Sequence, residues 1–193
     1  MYNVMTKQHD LIEATKTLLW EKGYDATSPR AIQKLSNAGQ GSFYHHFKGK
    51  KDLAATAMEA VVEERIAEFE EIFGDSGPVI ERIERFLMAP REELKGCRIG
   101  RMVWDSAISE DDLRRPIERY FRHIEVRLVK ALEKALASGE IQAIVPPEHI
   151  TAVVLASIQG ALTLGRAMQD PQYYARTIQG VVALINRVLR TDR

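Results

Sequence analysis

Apolar side chains recur at intervals of three and four residues along almost the whole chain, and no segment shows the two-residue alternation of a half-buried strand. Only a helix brings such positions to one face, so the pattern restricts the fold class to all-α. Leu11, Ile12, Thr15, Leu18 and Leu19 mark a first helix over 7–22, and Gly23 follows where a left-handed stop is favoured. Ser28 and Pro29 read as the N-cap and first residue of a short helix over 29–36, with Ile32 and Leu35 facing inward. "SNAG" (36–39) breaks it, a second short helix covers 41–47, and a long one runs over 51–73 after "KGK". "GDSGP" (74–78) is the clearest boundary. Beyond it the pattern predicts a helix over 78–88, a short one within "GCRIGRMVWDSAI", and a long one from Ile117 to Leu136 that Pro116 should delay or kink. Two more open at "VPPE" (145–148) and "DPQ" (170–172) and end near 169 and 190. The expectation is about nine helices, divided into an N-terminal three-helix part over 1–51 and a helical body over 52–193.

With 193 residues, 45% of them hydrophobic and 28% charged, the chain is long enough to bury a sizeable core and is not of disordered composition. The formal net charge is zero, but its distribution is uneven. Residues 1–51 carry eight basic against four acidic side chains, about +4, which leaves about −4 for the remainder. A basic segment of this kind points to contact with nucleic acid or a membrane surface. Cys97 is the one cysteine, which excludes an intrachain disulfide and fits a reducing cytoplasm. "MYNVMTKQHD" lacks the apolar run of a signal peptide, and no uninterrupted apolar stretch approaches 18 residues. A cytoplasmic location without membrane contact is therefore expected.

The stretch "GQGSFYHHFKGKK" (39–51) concentrates histidines, aromatics, glycines and lysines. Adjacent helical histidines point about 100° apart, so His45 and His46 do not converge on a metal ion, and neither His9 nor Cys97 adds a ligand at suitable spacing. Ser42 lies three residues from His45, yet no acid or oxyanion motif accompanies them, so no catalytic residue, no cofactor and no enzymatic activity are expected. Phe43 and Phe47, at i and i+4, suit the core of a three-helix unit. The other face carries Gln40, Gly41, Tyr44 and His45. A short helix, a turn and a second helix of this form can enter a major groove. Gln40 can pair bidentately with adenine, Gly41 permits close backbone approach, and Ser28, Tyr44 and Lys50 suit phosphate oxygens. Lys48, Lys50 and Lys51 stand at the start of the long helix, whose free N–H groups also attract anions.

"LIEATKTLLWEKGYDATSPRAIQKLSNAGQGSFYHHFKGKKDL" (11–53) resembles the DNA-binding region of the TetR/AcrR family of bacterial transcriptional repressors. Gly23-Tyr24, Thr27-Ser28, Ile32 and above all "GSFYHHFKGKKDL" carry the resemblance. "GCRIG", "SEDDLRRPIERYF" and "ASGEI" are similar, less specifically, to the C-terminal part of one of its subgroups. The resemblance implies an all-helical homodimer whose first three helices form a helix-turn-helix domain on double-stranded DNA with a palindromic operator. It places Gln40, Gly41, Ser42, Tyr44 and His45 at the DNA, with His46 and Lys50 at positions that often touch the backbone. Three residues depart from the pattern. Gly39 stands where Ser or Thr usually caps the recognition helix. Gln40 replaces a frequent Lys. Pro29 takes the place of a hydroxyl that often meets phosphate, for which Ser28 and Arg30 can compensate.

Two readings apply to the body. Ala152, Ala156 and Gly160 form a stripe of small residues at i, i+4, i+8 that lets another helix pack closely, and Ile178, Val181, Val182 and Ile185 lie on a broad apolar face of the last helix. Both suit a dimer interface, and both suit ordinary intrachain core. Phe86, Met102, Val103, Trp104, Phe121, Ile124, Gln159 and Leu164 are the candidate contacts of a small, mainly apolar effector, with Trp104-Asp105 able to orient a cationic or polar one. The expected function is a ligand-responsive, dimeric regulator, a repressor by family practice, released from DNA by its effector. The alternatives are a redox or electrophile sensor through Cys97, whose thiolate Arg98 and Arg101 would favour, and a helical small-molecule-binding protein or enzyme that does not act on DNA.

Overall fold

The computed structural model describes residues 2–189, and every regular element among them is helical. In chain order they are α1 (Tyr2–Lys22), α2 (Pro29–Ser36), α3 (Gln40–His46), α4 (Lys50–Phe73), α5 (Val79–Met88), two short 3-10 helices (Gly100–Trp104 and Ser106–Ser109), α6 (Asp111–Ala137), α7 (Pro147–Met168) and α8 (Gln172–Leu189). Eight α-helices therefore form where about nine are expected. The expected short helix in "GCRIGRMVWDSAI" is instead a pair of 3-10 turns, separated by Asp105 in an extended conformation (φ −88°, ψ 159°). α6 also differs, because it starts upstream of Pro116 and is not delayed by it. In the second turn, proline forfeits only the bond to the Asp112 carbonyl. Ion pairs bind the surrounding turns: Asp111 to Arg114 (3.1 Å) and Arg115 (3.3 Å), and Arg114 to Glu118 (2.6 Å).

The chain forms two compact units, one of residues up to 65 together with 98–120, the other of 66–97 together with 121 onward. The first has a small core of Leu11, Ala14 and Leu18 from α1, Ile32 from α2, Ala38 from the turn, Phe43 and Phe47 at α3, and Leu53 from α4. Each large side chain so buried contributes about 1.5–3 kcal/mol. Ile32 faces inward as the periodicity predicts, but Leu35 does not: it is 53% exposed, and Ser36, one full turn after Ile32, takes the inward place. The Lys16 ammonium fastens α1 to α4 by pairing with Glu13 (2.7 Å) and with Glu64.

In the second unit Phe69 is the hub of an aromatic cluster. It stacks on Phe73 with ring centroids 5.2 Å apart and meets the edge of Phe86 at 4.9 Å. α8 packs against both α7 and α5. α7 is long and apolar enough, by length and composition, to cross a membrane. Within this unit it buries Ile150, Val154, Ile158 and Leu162.

Candidate nucleic-acid interface

Local chemistry shapes the α2–turn–α3 element. The Ser28 hydroxyl accepts the Ala31 N–H at 3.2 Å as an N-cap, and Pro29 opens the helix. The hydroxyl hydrogen of Ser28 stays available to donate to a phosphate. α2 stops because Asn37 adopts the left-handed conformation (φ 50°, ψ 37°), a state asparagine reaches more readily than most residues. Gly39 then caps α3 through backbone alone, with no side-chain bond, so the cap is as weak as the missing hydroxyl suggests. Full burial of Phe43 fixes the rotation of α3. Gln40, Gly41, Tyr44 and His45 consequently face outward, together with Ser28 and Arg30 on the neighbouring helix, while Ser42, His46 and Lys50 are half-buried. Tyr44 is 56% exposed, although its ring meets that of Phe43 edge to face at 5.0 Å. The His45 and His46 rings lean together edge to face at 4.8 Å, closer than divergent Cα–Cβ directions suggest. No group of three His, Cys, Asp or Glu side chains suited to a metal ion occurs among the described residues.

The three lysines after α3 are not equivalent. Lys50 holds its Nζ 4.0 Å from the centroid of the Tyr24 ring. Lys51 pairs with Glu110 (2.8 Å) and Asp112 (3.2 Å), and these carboxylates raise its pKa. Its ammonium is thereby engaged by two carboxylates of the segment that follows the 3-10 helices. Lys48 donates its backbone N–H at 2.9 Å to Asp52 in the first turn of α4, which ties the turn after α3 to that helix. Sequence reasoning also missed the segment 98–112, which belongs to the same compact unit. The Asp105 carboxylate accepts the Tyr24 N–H at 3.1 Å. The Asp25 carboxylate accepts the Ser106 N–H at 3.0 Å and the Ser106 hydroxyl, bonds that hold it below the usual carboxylate range. No motif announces these pairings, since the partners stand some eighty residues apart in the chain.

Comparison with known proteins bears directly on this geometry. A family model described as "Bacterial regulatory proteins, tetR family" matches residues 11–64, and one described as "Tetracyclin repressor-like, C-terminal domain" matches residues 79–181, more than half of the chain. The chain belongs to the TetR family. It is similar to an uncharacterized helix-turn-helix-type transcriptional regulator in the lacX 3′ region of Lactococcus lactis, 25% identical over 181 residues and 88% of each chain. It is similar also to the transcriptional regulator AcuR of Cereibacter sphaeroides, 26% identical over 160 residues, 79% of this chain and 73% of that one. A solved TetR transcriptional regulator from Chloroflexus aurantiacus shares the fold, with a TM-score of 0.84 at 19% identity over 98% of this chain and 99% of that one. This TetR-family protein is thus a transcriptional regulator with a DNA-binding helix-turn-helix, and α2, the turn and α3 lie within the matched residues.

The expected effector contacts of this TetR-family regulator are divided between the two compact units. Met102, Val103 and Trp104 belong to the first compact unit, and Phe86, Phe121, Ile124, Gln159 and Leu164 to the second. Phe86 and Ile124 are buried there, Phe121 and Gln159 are half-buried, and Leu164 is exposed. Trp104 is 82% exposed, and Asp105 turns to Tyr24, so the expected pairing of indole and carboxylate around a ligand does not form. The arginines expected to favour a Cys97 thiolate are engaged as well: the Arg98 guanidinium lies 4.3 Å from the Trp20 ring centroid and Arg101 donates to the Lys22 carbonyl at 3.2 Å.

The expected dimer residues divide by helix. Ile178, Val181 and Ile185 are buried within their own unit, and Val182 is half-buried, so the apolar face of α8 serves intrachain packing. Its opposite face exposes Gly180, Ala183 and Leu184. On α7, Ala152 and Ala156 are exposed and Gly160 is half-buried, and a side chain added at Gly160 or Gly180 would meet nothing within 4 Å.

Proposed function

We propose that the chain acts as a homodimeric, effector-responsive repressor of the bacterial cytoplasm, binding a palindromic operator. The observation that carries the DNA reading is the outward face of α3, held in place by the fully buried Phe43. On it Gln40 reads a base edge, Gly41 and Ser42 let the helix backbone approach, and Tyr44, His45 and His46 meet the groove wall. Ser28, Arg30 and Lys50 anchor phosphates. Two recognition helices need half-sites about 34–36 Å apart or a multiple of that distance, which a symmetric dimer supplies. The exposed small-residue faces of α7 and α8 support that dimer, because helices approach closely where side chains are small.

The effector response rests on the second unit, with Phe86, Phe121, Ile124 and Gln159 as its contacts for a small, mainly apolar molecule. α4 contributes residues to both units and offers a covalent route for the signal. An effector shifts the protein between DNA-binding and released states only by its differential affinity for them. A coupling of about 1–3 kcal/mol weakens DNA binding about 5–150-fold.

Selection of bound sequences from a random duplex library, at two salt concentrations, tests the reading. An enriched inverted repeat is expected, with affinity falling steeply as salt rises. Enrichment of a lone half-site would overturn the dimer, and absence of any enrichment at low salt would overturn operator recognition by α3.

A further inference from the structure

Two carboxylates and two backbone N–H groups clasp the α1–α2 turn to the 3-10 segment. Asp105 accepts from Tyr24 at 3.1 Å, and Asp25 accepts from Ser106 at 3.0 Å. Both are charge-assisted bonds of the stronger kind. The turn has been shaped for this contact. Gly23 takes φ +81°, and a Cβ there would stand 2.6 Å from an Asp105 carboxylate oxygen, so a side chain is excluded both by conformation and by Asp105 itself. With its backbone held, Tyr24 presents its ring 4.0 Å from the Lys50 ammonium. An aromatic face orients an ammonium without neutralising it. Lys51, one residue on, is paired with two carboxylates instead. Of these two neighbours, Lys50 is the one held against an aromatic face and Lys51 the one held by a pair of carboxylates.

We propose that Asp105 is a positioning residue for DNA binding, which acts by fixing Tyr24 and through its ring the ammonium of Lys50, a phosphate anchor. The proposal rests on the DNA-binding reading of Lys50 given above. It extends the DNA-binding machinery to a residue far outside the helix-turn-helix motif, and it gives segment 98–112 a task in affinity.

The test uses the full chain and a duplex of mixed sequence, whose phosphates Lys50 meets whatever the operator. Affinity is followed by fluorescence anisotropy over a range of salt. Asp105→Ala is expected to bind about fivefold more weakly, with a salt slope shallower by about one, as for one lost phosphate contact. Lys50→Gln should show the same loss, and the double variant should bind no more weakly than Lys50→Gln alone, since both changes remove one contact. Asp105→Asn, whose amide oxygen still accepts from Tyr24, should recover most of the affinity. Should Asp105→Ala lose its folded signal, Tyr24→Leu carries the test, because it removes the ring and keeps the N–H that Asp105 holds. Wild-type affinity and slope in Asp105→Ala or in Tyr24→Leu overturn the proposal, and so do additive effects of Asp105→Ala and Lys50→Gln. A wild-type protein that binds no duplex would overturn the DNA-binding reading itself and this proposal with it.

Discussion

Glu70 and Arg127 meet fork to fork: Arg127 Nε lies 2.8 Å from Glu70 Oε1 and Arg127 Nη2 lies 2.8 Å from Oε2. His123 Nε2 adds a contact of 2.7 Å to Oε1, and Arg127 continues to Asp75 at 2.9 Å. Bonds from Arg127 lower the pKa of the Glu70 carboxyl, burial opposes them, and the His123 bond reinforces them. A carboxyl whose folded pKa is depressed contributes stability above its unfolded value, and that stability is lost as pH falls through the folded value. Glu70→Gln should therefore be less stable than the wild type at about pH 7, by about 1 kcal/mol once partial solvent exposure is allowed for. The gap should narrow only as pH falls below the ordinary carboxylate range and through the depressed folded value, where the carboxyl becomes neutral like the amide. Thermal melts of the two proteins across that range check it, and a gap independent of pH would show that the network's charge is irrelevant.

Tyr44 and Phe43 are neighbours with opposite fates. Phe43→Ala removes a fully buried ring and should cost about 3–5 kcal/mol, enough to unfold the three-helix core. Tyr44→Ala removes an exposed ring and should change stability by no more than about 0.5 kcal/mol. DNA affinity should nevertheless fall at least about tenfold in Tyr44→Ala, the scale of one good contact. Circular dichroism and anisotropy on the same samples separate the two effects. Unchanged affinity in Tyr44→Ala would remove α3 from the interface.

Leu184 is 66% exposed while Ile185, beside it on α8, is buried. Leu184→Glu should leave the helical signal intact and convert the proposed dimer to monomer in sedimentation, with a loss of operator affinity to match. Ile185→Glu places a charge in the intrachain core and should unfold the second unit instead. An assembly state unaltered by Leu184→Glu would place the dimer contact elsewhere.

Gly39 caps α3 in an extended conformation (φ −70°, ψ 161°) that serine adopts freely, and a Cβ there would meet nothing within 4 Å. Gly39→Ser supplies the missing acceptor and narrows the unfolded ensemble. A gain of about 0.5–1 kcal/mol in chemical denaturation is expected. No gain would mean that the turn before α3 cannot deliver the hydroxyl to the free N–H groups.

The features legible along the chain were those set within one or two helical turns. Ser28-Pro29 started α2 and the burial of Phe43 and Phe47 followed from their spacing, because capping and amphipathic packing involve residues close in sequence. The resemblance over 11–53 likewise named the motif that the family match then established. Periodicity was less informative wherever two neighbouring apolar residues competed for one inward place. Ile32 won it over Leu35, and Ile178, Val181 and Ile185 turned into their own chain. An apolar stripe reports that a face is covered, and it does not say by what.

By itself, the sequence determined an all-helical chain, the position of the short helix after the turn and the side chains that helix turns outward, since a 3.6-residue period and one buried phenylalanine suffice for all three. Tertiary structure alone decided which partner each charge meets. Lys51 pairs with Glu110 and Asp112, Lys50 lies against the Tyr24 ring, and Asp105 and Asp25 accept backbone N–H groups some eighty residues away. Electrostatic partners are chosen by distance in space, and that distance exists only once the chain has folded.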